Sequence, residues 1–392
     1  MKAFEFLNHA SIKINYKGYS IVTDPWYISN AFGGWYQCPS PSNDDIWQLI
    51  NTKEELGIVV SHGHDDHCDD WFIKHHLKER RFFCSKFDSP GLERRLNNSL
   101  GVNTTAIGEG VEFGPFYIKQ FVNPDFTEYD AVITIQTADF VVIHANDNWH
   151  KWPSKMCDAV YEVIKQYKEE NIFFLIQYGI ADCFPINYPS LSASEGKLII
   201  KERFESYFSA TQANLIGLKL KHIYYYANQS RFNYPQNYLD GDSLYELAQE
   251  YLREKQSKAI QLMPSMSVGL GHKVVHDNTN SQSLFEFCLS SLERFINKTY
   301  LEEVGEERFI ALKLLTNSAN VDPNVICYVA DIETWNRIFT AELNLEAIII
   351  GGKGLIYRPN FNISHHHSFI SKKSYLIQNL IKRDGLCFFQ SH

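Results

Sequence analysis

Residues 62–67 read His-Gly-His-Asp-Asp-His and directly follow the apolar run Gly57-Ile58-Val59-Val60. A short apolar run of this kind reads as a buried strand. The cluster therefore stands where a strand ends and the chain turns toward a helix. Gly63 lets the backbone fold tightly enough for several side chains to converge. Imidazole and carboxylate donors together suit zinc, iron or manganese better than a thiolate-seeking metal. The plainer role is a polar loop before a helix capped by Asp69 or Asp70. That role leaves His62, His64 and His67 unexplained, so His62, His64, Asp66 and His67 are expected to be metal ligands.

The spacing His62-x-His64-x-Asp66-His67 resembles the signature of the metallo-β-lactamase superfamily. The resemblance implies that His62 and His64 bind one metal ion and that Asp66 and His67 bind a second. Asn8-His9-Ala10-Ser11 and Thr23-Asp24-Pro25-Trp26 are similar to the branch holding ascorbate-6-phosphate lactonase and the catalytic part of CMP-N-acetylneuraminate hydroxylase. Similarity to the hydroxylase extends through Ala31-Phe32-Gly33-Gly34-Trp35.

The resemblance also implies a bridging carboxylate at the end of a later strand. Val141-Val142-Ile143-His144-Ala145-Asn146-Asp147 fits, with Asp147 in the bridging place; an Asx turn is the alternative. The family's third histidine of the first site belongs in the loop Phe121-Val122-Asn123-Pro124-Asp125, where Asn123 stands instead. An amide oxygen is a weaker zinc ligand than imidazole. The first site is then incomplete, mononuclear, or completed by Asp125, His144 or His150. The family's last histidine should fall near Tyr226-Ala227-Asn228-Gln229, which contains none. His9 resembles a family position facing the site and, with Asp66, is the catalytic candidate; a satisfied loop histidine is its equal alternative. Asp24 either holds a ligand histidine through its other ring nitrogen or makes a simple turn before Pro25. Trp149, His150 and Trp152 either wall a substrate pocket or pack as an ordinary loop. His365-His366-His367 reads as the solvated start of a basic helix rather than a ligand run.

Alternating and apolar segments predict strands over residues 4–7, 11–16, 19–23, 82–84, 116–122, 130–136, 140–145, 171–176 and 222–226. Helices are predicted over 71–78, over 90–97 with Asp88 or Ser89 as opener, over 155–169 and over 195–217. Two runs of strands with helices outside fit a four-layer αββα sandwich, the α/β fold that the resemblance implies. A seam near 268–280 is marked by Gly269, Gly271 and Asn278-Thr279-Asn280. It separates a metal-binding domain over 1–270 from a smaller α+β C-terminal region over 280–392. That region is expected to hold a helix over 284–297 and strands over 309–316, 324–330 and 346–351. Residues 333–338 and Gly351-Gly352-Lys353-Gly354 resemble a sterol-carrier-protein-like module.

The chain has 392 residues, enough for one large domain and a small one. A hydrophobic content of 44% with 21% charged residues permits a buried core. The formal net charge of −9 argues against a broad nucleic-acid or anionic-membrane surface. None of the 8 cysteines forms a CxxC pair, which points to reduced thiols and a cytoplasmic setting. The start Met1-Lys2-Ala3-Phe4-Glu5 lacks the apolar core of a signal peptide. No stretch reaches the roughly 18 apolar residues of a membrane span.

No Gly-x-Ser-x-Gly elbow and no phosphate-binding GxxxxGK[ST] loop occurs. The leading expectation is a hydrolase with one or two divalent ions, zinc or iron or manganese, acting on a small-molecule ester, lactone or phosphoester. The runner-up is a non-haem iron oxygenase of the hydroxylase branch. No Cys-x-His pair is present for a Rieske cluster, so an oxygenase would need a separate redox partner. The third reading is a binding protein with a vestigial site.

Overall fold

The computed structural model describes residues 2–37, 40–122, 130–147, 149–177, 184–185, 187–188, 191–218, 220, 222–227, 230–232, 260–262, 265–270, 274–276, 309–314, 326–331, 334, 337, 343, 347 and 350–357. Asn123, Asp125, residues 284–297 and His365 to His367 lie outside them.

Two mixed β-sheets carry the molecule. The first has 8 strands in the order Val274–His276, Met266–Gly269, Lys2–Asn8, Ser11–Tyr16, Tyr19–Thr23, Glu55–Val60, Arg81–Cys84, Asn103–Ala106. Tyr19–Thr23, Glu55–Val60, Arg81–Cys84 and Asn103–Ala106 are mutually parallel. Covered on both faces, Glu55–Val60 is buried from Leu56 onward, which is why it reads as a continuous apolar run. The second sheet has 7 strands in the order Ile260–Gln261, Ile223–Tyr226, Ile172–Gln177, Val141–His144, Ala131–Gln136, Phe116–Val122, Val111–Phe113.

Side-chain alternation along these strands feeds three cores. Phe4, Phe6, Ile12, Ile14, Val59 and Phe83 of the first sheet pack against Ile118, Ile133, Val142, Phe173 and Tyr224 of the second. On the outer face of the first sheet, Ile58, Val60 and Phe82 meet Leu49, Phe72, Leu77 and Leu96 from helical segments. On the outer face of the second, Val141, Ile143 and Phe174 meet Val160, Ile164, Ile200 and Phe204 from the helices Ser154–Ile164 and Ala193–Leu215. The layers are thus helix, sheet, sheet, helix, an αββα sandwich of the α/β class.

Several local expectations change. The segment after the motif is a short α-helix, Asp70–Phe72, that widens into a π-helical turn, Ile73–Leu77. Asp69 caps it by accepting the Phe72 N–H at 3.0 Å. The helix near Pro90 begins at Gly91 without a side-chain cap, so neither Asp88 nor Ser89 opens it. A helix over Asn43–Ile50, opened by Ser42, was not legible as periodicity. The long helix Ala193–Leu215 starts with a capping box between Ser192 and Glu195.

Phe309–Leu314, Ile326–Asp331 and Gly354–Tyr357 form a separate antiparallel sheet. Its third strand begins at Gly354; the strand expected over 346–351 lies partly outside the described residues. Gly34 and Gly351 allow close backbone approach here: a Cβ on Gly34 would sit 1.6 Å from the Gly351 carbonyl oxygen. Beside them Trp35 Nε1–H donates to the Ile350 carbonyl at 2.7 Å. Among the described residues, no helix is long and apolar enough to cross a membrane.

Candidate metal centre

The parallel strands Tyr19–Thr23 and Glu55–Val60 run to the same edge of the first sheet. Asp24 and Ser61 follow them there, and Asp24 N–H bonds the Val59 carbonyl at 2.8 Å. The loop bearing His62, His64, Asp66 and His67 leaves this edge. His9 turns between the first two strands with φ 47, and its carbonyl accepts the Ala227 N–H at 2.9 Å. Asp130, His144, Asn146 and Asp147 arrive from the facing sheet.

Six side chains then form a row of donor atoms. His9 Nε2 is 3.0 Å from Asp66 Oδ2, which is 3.5 Å from His67 Nε2. His67 Nε2 is 3.2 Å from Asp147 Oδ2, which is 3.7 Å from His62 Nε2. His62 Nε2 is 2.9 Å from His64 Nδ1. Asp147 stands in the middle, between the pair His62 and His64 and the pair Asp66 and His67. The sets His9, Asp66, His67 and His62, His67, Asp147 each present mutually close donor atoms.

These residues fit a metal centre on two grounds. Tetrahedral donors bonded at about 2.0–2.1 Å stand about 3.3 Å apart, close to the spacings in the row. In addition His67 Nε2, Asp66 Oδ1 and Asp147 Oδ1 are buried without a hydrogen-bond partner. Buried polar atoms are otherwise almost always satisfied.

The surrounding side chains fix how the histidines face. Asp24 Oδ2 accepts from His67 Nδ1 at 3.0 Å, His144 Nε2 at 2.7 Å and the Ser61 hydroxyl at 2.6 Å. Asp24 Oδ1 accepts the Ser61 N–H at 2.7 Å. Because the Ser61 proton goes to Asp24, Ser61 Oγ is left to accept from His62 Nδ1 at 3.0 Å. Both histidines are thereby held with Nδ1 outward and Nε2 toward the row. Arg95 clasps the same loop from outside, donating to the Gly63 carbonyl at 2.6 Å and pairing with Asp65 and Asp70.

Electrostatics separate the groups. Burial opposes charge on Asp24, yet His144 and His67 hold its carboxyl far below the usual range. Burial also opposes charge on His67, but Asp147 and Asp66 hold its imidazole well above 6.5. Burial, reinforced by His67 and His64, holds His62 well below that value. Asp66 and Asp147 are both lowered despite burial, chiefly by His67.

Two sequence candidates fall away as ligands. His144 spends both ring nitrogens on neighbours, Nε2 on Asp24 and Nδ1 on the Tyr226 hydroxyl. His150 stacks on Tyr207 with ring centres 4.0 Å apart; neither it nor His64 belongs to a set of close donors, but His64, unlike His150, reaches the row through His62 Nε2 at 2.9 Å. Burial pushes the His150 imidazole down to about 3. Trp149 and Trp152 are core residues of the second sheet's outer face. Sequence reasoning missed Ser61, Asp130, Asn146 and Tyr226. Asp130 Oδ1 lies 4.0 Å from His62 Nδ1, and Asn146 Nδ2 lies 3.2 Å from the same atom. Ser61 and Asn146 each flank an expected ligand, and Tyr226 ends the strand where the resemblance places a last histidine, which were the available signals.

No family model and no curated protein matches the chain. Among solved structures it is similar to a possible metal-dependent hydrolase from Veillonella parvula, at 15% identity over 71% of this chain and 100% of that one, with a TM-score of 0.43. It is similar to an isothiocyanate hydrolase from Delia radicum gut bacteria at 14% identity, over 70% and 98% of the two chains, with a TM-score of 0.43. It is similar to CmlA, a diiron β-hydroxylase from Streptomyces venezuelae, at 16% identity and a TM-score of 0.42. That match covers 70% of this chain and 54% of CmlA, about half its length.

Proposed function

We propose that the chain is a metal-dependent hydrolase of a small-molecule ester, lactone or phosphoester. The observation that carries this reading is the row of donors with Asp147 at its centre and unsatisfied atoms on Asp147 and on its Asp66–His67 side. His62 and His64 with Asp147 would hold one ion; Asp66 and His67 with Asp147 would hold a second. Three imidazoles and two carboxylates without a thiolate suit zinc, iron or manganese. Such an ion, when bound, lowers the pKa of a water and polarises the bond under attack.

The protein's own contribution is orientation and proton placement. Asp24 takes the Nδ1 proton of His67 and so aims Nε2 at the row. Ser61 does the same for His62. His9 Nε2–H donates to Asp66 Oδ2 and fixes that carboxylate, which would take up or deliver a proton during turnover.

The test is hydrolysis of p-nitrophenyl esters, bis-p-nitrophenyl phosphate and a simple lactone by zinc- or manganese-loaded protein, without oxygen or reductant. Turnover of one class, lost with chelator and in His64→Ala, is expected. Failure on all three, together with reductant-dependent oxygen consumption by iron-loaded protein, would replace hydrolysis with oxygenation.

A further inference from the structure

Behind the donor row, four fully buried side chains form one chain of contacts across both sheets: Tyr226, His144, Asp24 and His67. Tyr226 ends the strand Ile223–Tyr226 and His144 ends Val141–His144, both in the second sheet. Asp24 and His67 belong to the first. The Tyr226 hydroxyl contacts His144 Nδ1, His144 Nε2 stands 2.7 Å from Asp24 Oδ2, and His67 Nδ1 stands 3.0 Å from the same oxygen.

The direction of each proton follows from its neighbours. Asp24 is a carboxylate that accepts from every partner around it, so His144 Nε2 carries a proton. The Tyr226 oxygen already takes a backbone hydrogen bond from Asn146. Its own proton is thus free to go to His144 Nδ1, which leaves Nε2 as the nitrogen of His144 that donates. Tyrosine therefore orders histidine, histidine feeds aspartate, and aspartate turns the Nε2 lone pair of His67 toward the donor row.

We propose that Tyr226 and His144 are positioning residues of the centre, fixing the orientation and donor strength of His67 through Asp24. Its consequence for metal binding rests on the metal-centre reading above; the proton arrangement itself does not. Groups outside the ligand set tune metal affinity when they hold a ligand histidine, typically by about 10–100-fold. Tyr226 is two contacts further out, so removal of its hydroxyl is expected to weaken zinc affinity measurably but by less than about tenfold.

The experiment has two readouts. Long-range ¹H–¹⁵N NMR of the metal-free full chain, with His144→Gln to assign the signal, reads the tautomer. The proposal expects His144 as Nε2–H in wild type, and in Tyr226→Phe a shifted Nδ1 resonance as that nitrogen loses its donor. Competitive zinc titration then compares wild type with Tyr226→Phe, with melting temperature as the control for folding. His144 found as Nδ1–H in wild type would overturn the proposal, whatever the variant does. Unchanged zinc affinity in folded Tyr226→Phe would also overturn it. If wild type binds no zinc at all, the metal-centre reading fails, and the tautomer measurement alone decides the proton arrangement.

Discussion

Asp24 Oδ2 faces His67 Nδ1 at 3.0 Å, on the side of the imidazole turned away from the donor row. One buried carboxylate thus decides which His67 nitrogen meets Asp66 and Asp147. Asp24→Asn keeps the shape but removes the charge and puts an N–H donor against donors. Metal affinity is expected to fall by about 10–100-fold. Competitive titration with a zinc chelator of known affinity checks it, and an unchanged constant counts against the role given to Asp24.

Metal binding should strengthen as pH rises. His67 is held well above 6.5 by Asp147 and Asp66 despite burial, so in the metal-free protein its Nε2 carries a proton that an ion must displace. The sign for stability follows. A raised folded value contributes stability that is fully present below 6.5 and is lost as pH rises through the folded value. His62, held well below 6.5, stays neutral in that window and adds no slope. The melting temperature of the metal-free protein should therefore drop above pH 6.5, while metal-loaded protein resists the drop. Parallel calorimetric scans with and without chelator read this directly.

Arg95 joins the helical segment after Pro90 to the ligand loop through Gly63, Asp65, Cys68 and Asp70. Arg95→Ala leaves the Gly63 and Cys68 carbonyls without this donor. A loss of about 1–3 kcal/mol in urea unfolding is expected. Lower metal occupancy should accompany it, because the loop backbone loses its outer clasp. Full stability in the variant would show that the loop holds its shape alone.

Gly34→Ala places a methyl against the Gly351 carbonyl oxygen, where backbone cannot yield cheaply. We expect a loss of about 1–3 kcal/mol and a red-shifted Trp35 emission as its Nε1 contact with Ile350 opens. Emission spectra during urea titration test both effects.

The sandwich was readable wherever burial left a periodic mark. Glu55–Val60 and Ile172–Gln177 are covered on both faces and appear as apolar runs. The helix Asn43–Ile50 buries only Ile46 and Leu49, too narrow a stripe to stand out. The histidine-aspartate cluster was visible because its members are neighbours in sequence, and Asp147 because it lies just beyond the strand Val141–His144, where the resemblance implies a carboxylate. The chain from Tyr226 to His144 was not, because it joins residues 82 positions apart that only strand order brings together. His144 therefore looked like a spare ligand when its nitrogens were already committed.

The central claim is that the donor row holds metal. Elemental analysis of protein purified without added metal tests it most directly, alongside His67→Ala prepared in the same way. A metal-holding row gives at least about one zinc, iron or manganese ion per wild-type chain, and occupancy at least about tenfold lower in the variant. Wild-type protein with no transition metal, and none taken up on incubation with zinc, iron or manganese, would contradict it.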